Sequence, residues 1–330
     1  MGWSEHGLSV VMVSKSEAFI SEASPAMDLS KPIVGFIGIG NMGKPMAMNL
    51  LKAGYRIIAL DKATWRVEEL KLLGAQAASS PREIAERSSI VITSLVGPKS
   101  VQEVVFGKNG LLEGLEPGKI FVDMTTNLPS LSRKLATEVA ARGAEFLDAP
   151  VSGSVKPATE GTLMILVGGK RQTLEKVRPI LQTMGNRIVY VGDNGMAASM
   201  KLVLQMHSAT IMLSLAESLA LASRLGLDPS LVLDILNNSI MRTYASQNKG
   251  RKVIEAEYSR EHALQSMTEN LDLVAESARE MQMTPPPLLV RAREIYHSAV
   301  AHGKGELDFS AVTTEMERIM KVKISSGKPT

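Results

Sequence analysis

Residues 32–50 read PIVGFIGIGNMGKPMAMNL, an apolar strand running straight into a glycine-rich turn and then a helix. The strand pattern covers Ile33 to Ile37, the helical pattern about Met42 to Ala53, and Gly54 ends it. Gly38, Gly40 and Gly43 are spaced G-x-G-x-x-G. That spacing alone is weak, because glycine is common in turns. Here a strand precedes it, a helix follows, and the next strand, RIIAL, ends in Asp61, 18 residues past Gly43. Together these features predict a dinucleotide-binding unit.

Each residue has a physical task in that arrangement. Gly38 allows the tight turn, Gly40 lets a pyrophosphate approach the backbone, and Gly43 permits close packing of helix on strand. The phosphates then meet unpaired N–H groups at a positive helix end, so Ile39, Asn41 and Met42 join the three glycines as candidate cofactor contacts. Asp61 stands where a carboxylate can accept both ribose hydroxyls. A 2′-phosphate there would meet a like charge, so NAD is expected over NADP. Lys62 and Arg66 are cations nearby and keep NADP open.

Working outward, strand patterns recur at IVITSL (90–95), IFVDM (120–124), AEFLDAPV (144–151), LMILVGG (163–169) and RIVYVG (187–192). Helical stretches such as 81–87, 99–106 and 129–142 lie between the earlier ones. The alternation predicts an α/β fold, a doubly wound and mainly parallel Rossmann sheet, over 32–193. Ligands of such sheets sit beyond the carboxyl ends of the strands. Those ends carry Leu95-Val96, Thr125-Thr126 and Ser152-Gly153-Ser154.

After Gly195 the strand signals stop, and residues 194–325 are expected to form an all-α C-terminal domain. Its first helix covers about 195–225, roughly 45 Å at ~1.5 Å per residue. It is apolar almost all round, which places it inside the molecule, between domains or subunits. Shorter helices are expected at about 229–238, 263–283, 287–302 and 310–321.

Length and composition agree with two domains and narrow the function. A chain of 330 residues is too long for one compact core, and its 45% hydrophobic content can fill two. A net charge of +3, without any run of five or six basic residues, argues against nucleic acid. Zero cysteines exclude disulfides, thiolate metal sites and cysteine nucleophiles together, and fit a cytoplasmic setting. Five histidines without H-E-x-x-H spacing give no metal site. No stretch reaches the ~18 uncharged apolar residues of a membrane span; residues 207–223 come nearest but include Glu217. Residues 1–31 are expected to form a poorly ordered tail: LSVVMV has acidic flanks and no basic segment before it, so a secretory signal is not expected.

Lys201 is the only Lys or Arg between Arg187 and Arg224, amid Met, Leu, Val and Ala. An ammonium there is costly unless something replaces its water. It could snorkel to solvent or pair with Glu217 or Asp193. Alternatively it faces an interdomain cleft, where burial would lower its pKa and make it a proton donor and acceptor. Hydride transfer needs such a group, because an alcohol losing hydride must also lose its hydroxyl proton. Gln205 lies on the same helical face at i+4.

The chain resembles the β-hydroxyacid dehydrogenase family, which includes 3-hydroxyisobutyrate dehydrogenase, tartronate semialdehyde reductase and L-threonate dehydrogenase. The resemblance covers about residues 32–320 and rests on GFIGIGNMGKPMAMNL, VDMTTNLP, DAPVSGS, ATEGTLMILVGG, the Gly192–Gly195 turn before Lys201, and GKGELDFSAV, in that order. It implies that Lys201 is the catalytic acid/base. It implies that Ser152 and Gly153 cradle the substrate carboxylate, with Ser154 replacing a family glycine, and that Thr126 lies near substrate and nicotinamide. Gln205 keeps an amide for the substrate. Glu269-Asn270 stands where the family typically has Lys-Asp near the cofactor, and Arg242 stands where relatives tend to have small residues. Arg242 is therefore a candidate substitute for the lost cation.

The expected function is hydride transfer between NAD(H) and a small 3-hydroxy acid or its semialdehyde. Partners are the small-molecule substrate and further copies of the chain, as a homodimer or homotetramer, without nucleic acid or membrane. Two rivals are an imine reductase on the same fold and a noncatalytic dinucleotide-binding protein.

Overall fold

A computed structural model describes residues 29–324; most of the expected tail, residues 1–28, lies outside the described residues. The first region runs β1 (Ile33–Ile37), α1 (Gly43–Lys52), β2 (Arg56–Leu60), α2 (Thr64–Lys71), β3 (Gln76–Ala77), α3 (Pro81–Arg87), β4 (Ile90–Thr93) and α4 (Gly97–Phe106). It continues with β5 (Ile120–Asp123), α5 (Pro129–Ala140), β6 (Glu145–Asp148), β7 (Val151–Ser152), α6 (Val155–Glu160), β8 (Met164–Gly169), α7 (Arg171–Leu181) and β9 (Arg187–Gly192).

The strands form one sheet ordered β3-β2-β1-β4-β5-β6-β8-β7, with β9 paired to β8. Strands β1 to β6 pair in parallel, whereas β8 runs antiparallel to β6 and β7. The central strands are near-continuous apolar runs because helices cover both faces. Alternation divides them: Ile90, Ile92, Ile120 and Val122 join one buried cluster, while Val91 and Phe121 join the other. Ser80 caps α3 through the N–H of Glu83, and Pro81 fills its first position, where a missing N–H costs nothing.

The single strand expected over 144–151 is two. Pro150 has no N–H to donate, and the chain breaks into β6 and the short β7, which pairs with β8 alone. Strand β3 and helices α2, α6 and α7 complete the alternation.

Beyond Gly195 the described residues add helices and no further named strand: α8 (Met196–Arg224), α9 (Pro229–Asn237), α10 (Tyr244–Asn248), α11 (Gly250–Ile254), α12 (Leu264–Glu280), α13 (Pro287–Ala299) and α14 (Thr313–Met320). A kink at His302 and Gly303, the latter at φ +77°, follows α13. By length and composition α8 could cross a membrane. In this fold it packs on β6, β8, β9 and α5 at one end and on α12, α13 and α14 beyond them. It is not covered all round, however: Val203 and Leu221 are 62% and 51% exposed.

Candidate active site

The glycine-rich turn is shaped by hard contacts. Gly38 has φ +95°, and a Cβ there would lie 2.2 Å from the Ser94 carbonyl oxygen. A Cβ on Gly43 would lie 1.9 Å from the Gly38 carbonyl oxygen, so this glycine sets how closely α1 approaches β1. Gly40 differs: a Cβ there meets nothing within 4 Å and would fill open space. The N–H groups of Asn41 and Met42 find no acceptor among the described residues. Helix α1 has no side-chain cap, leaving its positive end for a ligand. A 360 Å³ cavity opens beside this turn, lined by Ile39, Gly40, Asn41, Lys44, Trp65 and Arg66 among others. This chain's backbone therefore fits a dinucleotide pyrophosphate.

Asp61 binds its own loop. Its carboxylate accepts the N–H groups of Ile39 at 2.7 Å and Ala63 at 2.8 Å. Arg66 Nη1 lies 3.6 Å from it. Lone pairs remain on both oxygens for a ribose. Across the turn, Leu95 donates its N–H to Thr125 Oγ1 at 3.1 Å, joining the ends of β4 and β5. Val96 is 75% exposed.

Two buried aspartates end β5 and β6. Asp123 accepts from Thr93 Oγ1 at 2.8 Å, from the Thr125 N–H at 3.1 Å and from Asn127 Nδ2 at 3.1 Å. Those bonds fix the 125–127 turn that presents Thr126. Asp148 accepts the N–H groups of Gly195 and Ala198, each at 2.9 Å, and so caps α8 from outside its own segment. Burial pushes both carboxyls above the usual range, against the pull of these donors. Neither aspartate was singled out from the sequence. DAPVSGS drew attention to its hydroxyls, not to the acid that opens it.

Three lysines show what becomes of a sequestered ammonium here. Lys119 Nζ donates to the carbonyls of Ala85, Glu86 (2.8 Å) and Ser88 (3.2 Å). Lys249 lies between Asp308 at 3.1 Å and Glu261 at 3.0 Å. Lys201, half-buried on the second turn of α8, has no hydrogen bond or ion pair among the described residues; neither Asp193 nor Glu217 reaches it. Burial lowers its pKa to about 8. Gln205, 6% exposed one turn on, also leaves its amide without a partner among the described residues.

The remaining candidates are more scattered. Ser152 and Ser154 are half-buried, and Ser154 precedes α6 without capping it. Gly153 takes φ +138°, a value that disfavours any other residue. Glu269 is exposed on α12 and accepts from Gln265 Nε2 at 2.9 Å. Arg242 is exposed between α9 and α10, without an ion pair among the described residues. Among the described residues no hydrogen bond or ion pair joins either of them to Lys201.

Residues 33–192 match the family described as the NAD binding domain of 6-phosphogluconate dehydrogenase. Residues 195–316 match that described as NAD-binding of NADP-dependent 3-hydroxyisobutyrate dehydrogenase. A 2-(hydroxymethyl)glutarate dehydrogenase from Eubacterium barkeri is 36% identical over 89% of this chain and 98% of its own length.

The chain belongs to the β-hydroxyacid dehydrogenase family. The mitochondrial 3-hydroxyisobutyrate dehydrogenase of Mus musculus is 39% identical, covering 86% of each chain. The Mycobacterium tuberculosis 3-hydroxyisobutyrate dehydrogenase structure with L-serine superposes with a TM-score of 0.80 at 28% identity, over 86% of this chain and 99% of that one. Like other β-hydroxyacid dehydrogenases, this protein is an oxidoreductase that uses a nicotinamide dinucleotide to transfer hydride to or from a small hydroxy acid.

Proposed function

We propose that this enzyme interconverts a 3-hydroxy acid and its semialdehyde, with Lys201 as general acid and base and NAD as the preferred dinucleotide. The carrying observation is the unpartnered amine of Lys201. A lysine kept only for structure would have found carbonyls, as Lys119 does, or carboxylates, as Lys249 does. With a pKa near 8, Lys201 can exist as either amine or ammonium at neutral pH.

The bound nicotinamide supplies the hydride acceptor or donor. This chain does the rest. Ser152 and Gly153 hold the substrate carboxylate, Thr126 and Gln205 orient the carbon that reacts, and neutral Lys201 takes the hydroxyl proton as hydride departs. In reduction the Lys201 ammonium returns that proton to the developing alkoxide. Asp61 supports the NAD preference by repelling a 2′-phosphate, and Arg66 beside it supplies the opposing pull. Exposed Leu221 on α8, Leu225 just after it, and Leu231 and Ile235 on α9 support a homodimer or homotetramer, in which a second copy would cover them.

The test is a panel of 3-hydroxy acids with NAD and NADP, followed at the reduced nicotinamide absorbance. Turnover of at least one acid, at higher kcat/KM with NAD, is expected. Turnover only of imines, or dinucleotide binding without turnover of any alcohol, aldehyde or imine, contradicts the reading.

A further inference from the structure

One titratable side chain close enough to feel the Lys201 charge has no part in the proton transfer just described. His262 stands at the entry to α12, two residues before Leu264, and α12 packs on α8. Its backbone is held on both sides. The N–H donates to Asp308 Oδ2 at 3.1 Å, and the carbonyl accepts the Phe309 N–H at 2.8 Å. The neighbouring Ala263 pairs with Asp308 as an isolated β-bridge. The ring packs against Phe309, centroids 5.7 Å apart and planes tilted by 52°. The backbone at His262 is fixed by these bonds and its ring rests against Phe309, the kind of support a recognition group requires.

Neither ring nitrogen of His262 has a hydrogen-bond partner among the described residues, and the side chain is only half-buried. A polar group sealed in a core must already be paired, whereas one that solvent can still reach is free to exchange its water for a ligand oxygen. His262, Gln205 and Lys201 share one property: polar side-chain atoms without a hydrogen-bond partner among the described residues. Burial first, and then the Lys201 charge, lower the imidazole to about 4, while Asp308 raises it and Lys249 lowers it. The ring is therefore neutral at physiological pH, with one N–H donor and one bare nitrogen acceptor. It does not compete with Lys201 for the proton in transit.

We infer that His262 is a specificity-determining residue whose imidazole hydrogen-bonds an oxygen-bearing substituent of the substrate, a second hydroxyl or carboxylate on the carbon skeleton. The inference rests on the proposed reading of the cleft, in which substrate lies against Lys201. Its consequence is a preference for polar-branched 3-hydroxy acids over alkyl-branched ones. A site built to hydrogen-bond a substrate oxygen rejects the analogue that lacks it, because the protein group is left unpaired.

The test compares wild type, His262→Phe and Lys201→Ala on two substrate sets, 3-hydroxy acids with an alkyl branch and 3-hydroxy acids with a second hydroxyl or carboxyl. His262→Phe keeps an aromatic ring against Phe309. The expected result is a fall of tenfold or more in the kcat/KM ratio of polar to alkyl substrates, carried mainly by KM. A smaller change in that ratio overturns the inference. A second readout does not need the variant to fold. With 15N-labelled histidine in the cofactor-saturated wild type, the His262 ring nitrogens should shift on adding the polar-branched acid but not the alkyl-branched one; equal or absent shifts overturn the inference. Lys201→Ala separates the two ideas. Abolished turnover with an unchanged His262→Phe ratio removes the specificity role alone. Surviving turnover in Lys201→Ala with a collapsed ratio in His262→Phe removes the acid–base reading alone.

Discussion

Asp123 and Asp148 are register partners across β5 and β6, and each spends its carboxylate on a different wall of the proposed site. Asp123 holds the turn that presents Thr126, and Asp148 holds the first turn of the helix that presents Lys201. The sheet thus sets the separation between the two walls. Replacing Asp148 by Ala leaves the Gly195 and Ala198 N–H groups without their acceptor, at a cost of about 1–3 kcal/mol each. The expected outcome is a melting temperature lowered by several degrees and a kcat reduced more than KM rises. Asp148→Asn, which keeps one acceptor oxygen, should recover part of both. Calorimetry and steady-state kinetics on the two variants check it.

The glycine turn separates folding from binding. Gly43→Ala drives a Cβ against the Gly38 carbonyl and should destabilise the protein by roughly 1–3 kcal/mol through forced backbone movement. Gly40→Ala meets no protein atom, so its melting temperature should match wild type while dinucleotide Kd rises at least tenfold. Thermal melts with and without cofactor distinguish the two variants.

Lys249 tests the helical region. Its ammonium lies between Asp308 and Glu261, and both Lys249 and Asp308 have side chains under 3% exposed. Burial alone would raise the Asp308 carboxyl, but the Ser310 hydroxyl, Lys249 and the His262 N–H outweigh it and hold it below the usual aspartate value. Lys249→Met leaves that carboxylate buried and unpaired, costing about 3–5 kcal/mol. A depressed carboxylate contributes stability above its unfolded pKa and loses it as pH falls through the folded one. The gap between wild type and variant in urea unfolding should therefore be full at pH 7 and shrink below about pH 4.

The pH dependence of catalysis follows from Lys201. Oxidation needs the neutral amine, so kcat for the alcohol should rise across an inflection near pH 8. Reduction needs the ammonium, so kcat for the semialdehyde should fall across the same inflection. Profiles in both directions check this, and an inflection at the ordinary lysine value of about 10.4 would contradict it.

Much of this was readable in the chain because the relevant signals are local. The turn from Gly38 to Gly43 and the long helix from Met196 each lie within one segment, where spacing and hydropathy suffice. Strand β3 escaped notice because its two residues are exposed and carry no apolar pattern. Helix α2 buries only Val67 and Leu70, too few to mark a face. The β6–β7 break required knowing that Pro150 falls where a pairing N–H is needed. Asp148 and His262 were hidden for a different reason. Asp148 acts on a helix start 47 residues away, and His262 feels the Lys201 charge across 61 residues of sequence only in the folded chain. A lone aspartate or histidine has no periodicity to betray it, so tertiary structure alone reveals what it touches.

The Lys201 amine is the group proposed to exchange the substrate proton. Single-turnover hydride transfer in Lys201→Ala, measured with cofactor and hydroxy acid both saturating, tests it most directly. General acid–base catalysis of this kind supplies typically ~10²–10⁴-fold. The expected result is a rate lowered by at least about a hundredfold, with dinucleotide Kd within threefold of wild type. A variant that transfers hydride at the wild-type rate would contradict it.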